Sequence, residues 1–193
     1  MPDPTHSIPD DTLLLCVDMQ PKFLAAIPGG ASVQRRCEFA VAAAAGIGLP
    51  VAFTEQVPEK LGATAPSLLA LAPQASVWAK TAFSALGDER IRDTLLQQHK
   101  FEHILLCGIE TPVCIYQTSI AALAAGLQVT VLSDAIGARR EDDAHSCLAA
   151  LRHQGAHVLP AETVFYAMIQ DVAHPYFRAY TQLVKLHAAV AQA

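Results

Sequence analysis

The chain has little charge and no positive surplus: 13 Lys and Arg stand against 18 Asp and Glu in 193 residues, a formal net charge of −5. A nucleic-acid surface of the usual electrostatic kind is not expected. The pairs Arg35-Arg36 and Arg139-Arg140 are too short to make one and read as solvated or locally paired charges. Long apolar runs are also missing. The alanine-rich segments 39–49 and 119–127 are broken by glycine and fall short of the ~20 residues a membrane span needs, so no membrane partner is expected. The start lacks the basic-then-apolar order of a signal peptide. The five cysteines, at 16, 37, 107, 114 and 147, form no CxxC pair and are odd in number, which argues against a disulfide framework. These absences predict a cytoplasmic protein. The eight histidines show no ligand spacing, so no metal is expected. No GxGxxG follows the first apolar run, where Asp18-Met19-Gln20-Pro21 stands instead, so a dinucleotide cofactor is not expected either.

What is present is apolar content, 52% of the residues, in a chain long enough for one domain with a substantial core. Residues 1–10 read as a polar leader and 174–193 as a C-terminal helix, packed on the domain or on a neighbouring subunit. Between them short apolar runs at 13–18, 49–54, 76–78, 102–107, 126–132 and 156–159 read as strands, alternating with helices at 31–47, 66–72, 87–99, 112–125 and 142–154. Strands apolar throughout and separated by helices imply a parallel sheet covered on both faces, with right-handed crossovers. The expected fold is a three-layer α-β-α domain with a six-stranded, doubly wound parallel sheet in the order 3-2-1-4-5-6. The apolar surplus also leaves room for an oligomer interface.

The segment Gly108-Ile109-Glu110-Thr111-Pro112-Val113-Cys114 follows the fourth strand and opens a helix, with Thr111 as the expected N-cap and Pro112 at the first helical position. Cys114 then falls at the third position, where unpaired N–H groups favour the thiolate that is the reactive form of cysteine. A helix terminus is worth at most ~1 kcal/mol, less than one pKa unit, so an activated thiol needs a cation as well. A cysteine one turn into a helix also serves as plain packing. In the order 3-2-1-4-5-6, strands one and four adjoin at the switch point, where ligands bind beyond the carboxyl ends of the strands. That topology places Asp18 beside the 108–114 turn, with Lys80 on the same edge of the sheet. An acid, a cation and a thiol therefore converge in one crevice.

Leu14-Leu15-Cys16-Val17-Asp18-Met19-Gln20 with Phe23, Phe53-Thr54-Glu55-Gln56, Lys80-Thr81-Ala82-Phe83-Ser84, Cys107 to Cys114, and Ser133-Asp134-Ala135 with Arg139 together resemble the isochorismatase-like cysteine hydrolase superfamily, nearest to its metal-free subgroup of isochorismatase-domain-containing proteins. The resemblance runs from Leu13 to Lys185. It implies a catalytic triad of Asp18, Lys80 and Cys114. Asp18 would take and return the thiol proton, while Lys80 would hold the acid and favour the thiolate. It further implies a cis peptide between Ile109 and Glu110, and an oxyanion site made by the backbone N–H groups of Glu110 and Cys114. Nicotinamidases in the superfamily bind a metal after the second strand through an Asp-x-His arrangement and a second histidine. Here that segment reads Glu55-Gln56-Val57-Pro58-Glu59, so metal-dependent nicotinamide hydrolysis is not implied. Isochorismatases proper generally lack the nucleophilic cysteine that Cys114 supplies. The implied reaction is hydrolysis of a small amide-like C–N bond through a thioester, by a homo-oligomer.

Phe23, Gln56, Trp78 and Phe83 are candidates for shaping the substrate pocket. Cys16 and Cys107, inside strands, read as inert packing, and Cys37 and Cys147 show no activating partner. Two rivals on the same fold stay open: a catalytically silent interaction protein, and a redox-sensing thiol protein cycling Cys114 through sulfenic acid.

Overall fold

The structure, a computed structural model, describes residues 11–189, so the leader 1–10 lies outside the described residues. The chain runs β1 (Thr12–Val17), α1 (Pro21–Leu24), α2 (Gly30–Ile47), β2 (Val51–Gln56), α3 (Pro58–Leu61), α4 (Pro66–Leu71), β3 (Ser76–Lys80), α5 (Glu89–Asp93), β4 (His103–Ile109), α6 (Tyr116–Ala124), β5 (Gln128–Gly137), α7 (Glu141–His153), β6 (His157–Leu159), α8 (Ala161–Ile169) and α9 (Phe177–Ala189). The six strands form one sheet in the order β3-β2-β1-β4-β5-β6, every pair parallel. Both the topology and the three layers match the sequence expectation.

The central strand β1 explains why the sheet is covered on both faces. Its residues Thr12 to Val17 are all buried, so side chains on either face need an apolar partner. Leu14 and Cys16 face α2, α4, α8 and α9, whereas Leu13, Leu15 and Val17 pack with residues of α5, α6 and α7. The C-terminal helix is part of the first layer. Tyr180 is fully buried there, its ring centroid 5.9 Å from Phe39 and 6.2 Å from Phe165. Helix α7 carries Glu141, Asp142 and Asp143 in its first turn and Arg152 and His153 in its last, each sign at the macrodipole end that stabilises it.

Several boundaries differ from the sequence reading, with physical causes. Thr111 is not the N-cap; Glu110 is, and the Thr111 hydroxyl instead donates to the Gly137 carbonyl at 3.0 Å. The helix opens with a π-turn over Thr111–Ile115, in which the Ile115 N–H reaches the Glu110 carbonyl at 3.2 Å, so Cys114 stands at the fourth position. The predicted helix 87–99 divides into α5 and a second π-turn over Thr94–Gln98. Strand β3 runs on to Lys80, which pairs in register with Gln56. Strand β5 continues past the polar pair Ser133-Asp134 to Gly137. A register shift opposite Leu106–Gly108 sets Ile136 and Gly137 beside Gly108 and Ile109.

At Gly108 the backbone of β1 leaves β4 no room for a side chain. The Gly108 φ is +112°, and a Cβ there would lie 2.1 Å from the Val17 carbonyl oxygen, a backbone atom without freedom to yield. Gly108→Ala is expected to destabilise the fold by at least ~2–3 kcal/mol, combining a disfavoured φ with overpacking. Urea unfolding would show this as a lower midpoint at an unchanged slope, and a midpoint equal to wild type would refute it.

Candidate active site

Asp18 follows β1 directly and adopts φ +52°, a left-handed conformation that aspartate tolerates better than most residues. Its N–H continues the ladder to the Thr54 carbonyl at 3.0 Å, and Thr54 Oγ1 donates to Asp18 Oδ1 at 2.7 Å. The other carboxylate oxygen accepts from Lys80 Nζ at 2.7 Å, and both side chains are wholly buried. Such a pair is stable only if the remaining polar atoms are also satisfied. They are, because Lys80 Nζ donates as well to Gln56 Oε1 at 2.6 Å, with the Ala82 and Phe83 carbonyls at 3.2 and 3.3 Å.

Cys114 Sγ lies 3.8 Å from Lys80 Nζ. The topology therefore brings the acid, the ammonium and the thiol into one contact group, three residues separated by 62 and 34 positions in sequence. Burial first, and the Asp18 carboxylate next, push the Cys114 thiol up to about 12, against the pull of the Lys80 ammonium and of the Glu110 N–H directed at the sulfur. The expected cationic assistance is present, but two larger effects oppose it, so the resting group is a thiol beside a carboxylate. The Ile109–Glu110 peptide bond is cis.

A cavity of about 420 Å³ opens onto Cys114, walled mainly by Phe23, Ala26, Ile27, Phe83, Ile109 and Val113. Gln56 borders it too, but its Oε1 accepts from Lys80 and its Nε2 donates to the Thr81 carbonyl at 2.7 Å. Its amide thus holds the lysine. Trp78 is not in this wall; it borders a separate hollow near the amino ends of the strands, with His99 and Phe101. At the mouth Arg139 pairs with the Glu110 carboxylate at 3.0 Å, one of the local pairings expected of the Arg139-Arg140 doublet. Arg36 and Arg140 are paired as well, with Asp134 and Asp143. Asp134 also accepts from the Ala161 N–H at 2.8 Å, so Ser133-Asp134-Ala135 ties α2, β5 and α8 together away from the thiol. In the segment where a nicotinamidase holds metal ligands, the Glu55 carboxylate accepts from the Thr64 N–H at 2.7 Å.

A six-stranded parallel sheet in the order 3-2-1-4-5-6, flanked by helices, is the isochorismatase-like α/β fold, whose superfamily members are usually hydrolases. The isochorismatase domain model matches residues 12–163, and the chain belongs to that family. It is 36% identical over 183 residues to isochorismatase domain-containing protein 2 of Pongo abelii, covering 92% of this chain and 85% of the relative. Among solved structures it is similar to the MAR1 ribonuclease of Caenorhabditis elegans, with 30% identity, a TM-score of 0.85, and coverage of 92% of this chain and 91% of that one. The octameric hydrolase YcaC of Escherichia coli shares the fold with a TM-score of 0.80 at 20% identity, covering 94% of this chain and 95% of that one.

Proposed function

We propose that this protein is a cysteine hydrolase that cleaves a small amide-like C–N bond through a thioester on Cys114, as a single domain spanning the chain. The observation that carries the reading is Lys80 Nζ, placed 2.7 Å from Asp18 and 3.8 Å from the sulfur of Cys114, which itself lines a largely apolar cavity. A thiol held at about 12 is a weak nucleophile, but a carboxylate beside it is placed to remove the proton as the carbon–sulfur bond forms. Lys80 neutralises the charge that would otherwise build up between Asp18 and the sulfur. The backbone N–H groups of Glu110 and Cys114 receive the developing oxyanion. Asp18 then gives its proton to the departing amine. Water, deprotonated by the same carboxylate, cleaves the thioester and restores the thiol, so the net reaction adds one water across the C–N bond.

Phe23 and Phe83 shape the apolar part of the pocket, and Gln56 acts by positioning Lys80. The substrate is accordingly small and largely uncharged at its acyl end. The pocket does not suit the ribonuclease activity in the name of the nematode protein. Phosphodiester cleavage calls for cations near the phosphate, and the arginine at this mouth is already paired with Glu110. The five free cysteines support a reducing compartment such as the cytoplasm, and the YcaC octamer supports a homo-oligomer.

The test is to rapidly acid-quench the enzyme with a panel of small amides and activated esters, then read the intact mass and the Cys114 peptide. The expected result is an acyl adduct on Cys114 alone that decays with product release. Product formed with no adduct at any quench time, or an adduct on another cysteine, would overturn the thioester route. A Cys114 that accumulates only sulfenic acid under peroxide and never acylates would favour the redox reading instead.

A further inference from the structure

On the face of the sheet away from Cys114, three thiols from three elements meet. Cys16 and Cys107 are register partners on the adjoining strands β1 and β4, so their side chains leave the sheet side by side. Cys37 projects from α2, which covers that face, and the three sulfur atoms all lie within 4.8 Å of one another. Cys37 Sγ also lies 3.9 Å from the Met19 thioether and donates to the Ala135 carbonyl at 3.1 Å. All four sulfur-bearing residues are 0% exposed. The proposed hydrolysis uses none of them.

We propose that Cys16, Cys37 and Cys107 form a closed, three-sulfur site for one soft divalent cation, with the Met19 thioether as an adjacent soft donor. Three sulfurs within 4.8 Å of one another lie at most about 2.8 Å from a common centre, a span that bonds to a soft divalent ion such as zinc (~2.3 Å to thiolate) or the larger cadmium close with little movement. The donor set rejects calcium and magnesium, which take oxygen ligands.

Charge argues for a divalent ion. The three thiols release three protons on binding, so a divalent cation leaves one net negative charge in a dry core, while a monovalent cation would leave two. The site has no opening among the described residues, so the ion is captured as β1, α2 and β4 come together. It then stabilises that layer by mass action rather than taking part in turnover.

The decisive variant is Cys114→Ala with Cys147→Ala in the full chain, because the only cysteines then left are the three of the proposed site. Wild type and this double variant would be refolded with Cd(II) under a phosphine reductant, with Mg(II) in parallel. Bound metal is read by native mass, by the ultraviolet thiolate-to-cadmium charge-transfer band, and by Tm. The expected result is one Cd(II) per chain in both proteins, a raised Tm with Cd(II) and none with Mg(II). In Cys37→Ala, affinity falls at least ~10-fold, since losing a direct ligand costs no less than losing an outer-shell partner. No bound cadmium in the double variant would overturn the proposal, and so would equal affinity in Cys37→Ala. Should Cys37→Ala fail to fold, the double variant alone decides.

Discussion

Cys114→Ala is expected to abolish turnover while the unfolding midpoint stays close to wild type. Asp18→Asn is expected to lower turnover by ~10²–10⁴-fold while making the same thiol easier to alkylate. The two variants separate nucleophile from base. Burial and the Asp18 carboxylate raise the Cys114 thiol to about 12, and Lys80 lowers it. Asparagine removes one of the two raising influences and leaves the ammonium 3.8 Å from the sulfur, so the thiol's pKa falls and more thiolate is present at any given pH. The rate of Cys114 modification by iodoacetamide, followed peptide by peptide from pH 6 to 10, should rise at lower pH in Asp18→Asn than in wild type. Cys147, half-buried and away from the acid, serves as the internal reference. An unchanged or upward-shifted profile would show that the carboxylate does not oppose thiolate formation. Full activity in Cys114→Ala would sink the mechanism.

Much of this site was legible from residue pattern because the fold is set by strand polarity and order. Apolar runs at Leu13–Val17 and Ile104–Cys107 need cover on both faces, which dictates a parallel sheet. A parallel sheet in this order sets the end of β1 beside the end of β4, and so Asp18 beside Cys114. The features that escaped depend on three-dimensional neighbours. Thr111 has the side chain of an N-cap, but the extension of β5 to Gly137 offers its hydroxyl a carbonyl and moves the cap to Glu110. Gln56 has the side chain of a substrate-orienting amide, but β3 carries Lys80 directly opposite it. Trp78 lies two residues before Lys80 on β3, and it borders the hollow near the amino ends of the strands. Nothing in the spacing of positions 16, 37 and 107 showed that their sulfurs would meet, since a strand register and a helix face had to be known together.

Lys80→Met is expected to destabilise the fold by ~3–5 kcal/mol, the cost of leaving one member of a buried ion pair alone. The methionine conserves the length of the stem but withdraws the proton donor shared by Asp18 Oδ2, Gln56 Oε1 and two main-chain carbonyls. At ~2–4 °C per kcal/mol for a chain of this size, the melting temperature should fall by roughly 6–20 °C. Loss of turnover should accompany it, but a merely structural lysine would give the same two results. The distinguishing variant adds Asp18→Asn to Lys80→Met. With the uncompensated charge removed, stability should recover by more than ~2 kcal/mol, a coupling that a double-mutant cycle reads directly. Activity should not recover with it. Recovery of both would mean that the pair only holds the sheet edge together. Recovery of stability alone ties the acid and the ammonium to the chemistry at Cys114, because the fold would then stand without them and the reaction would not.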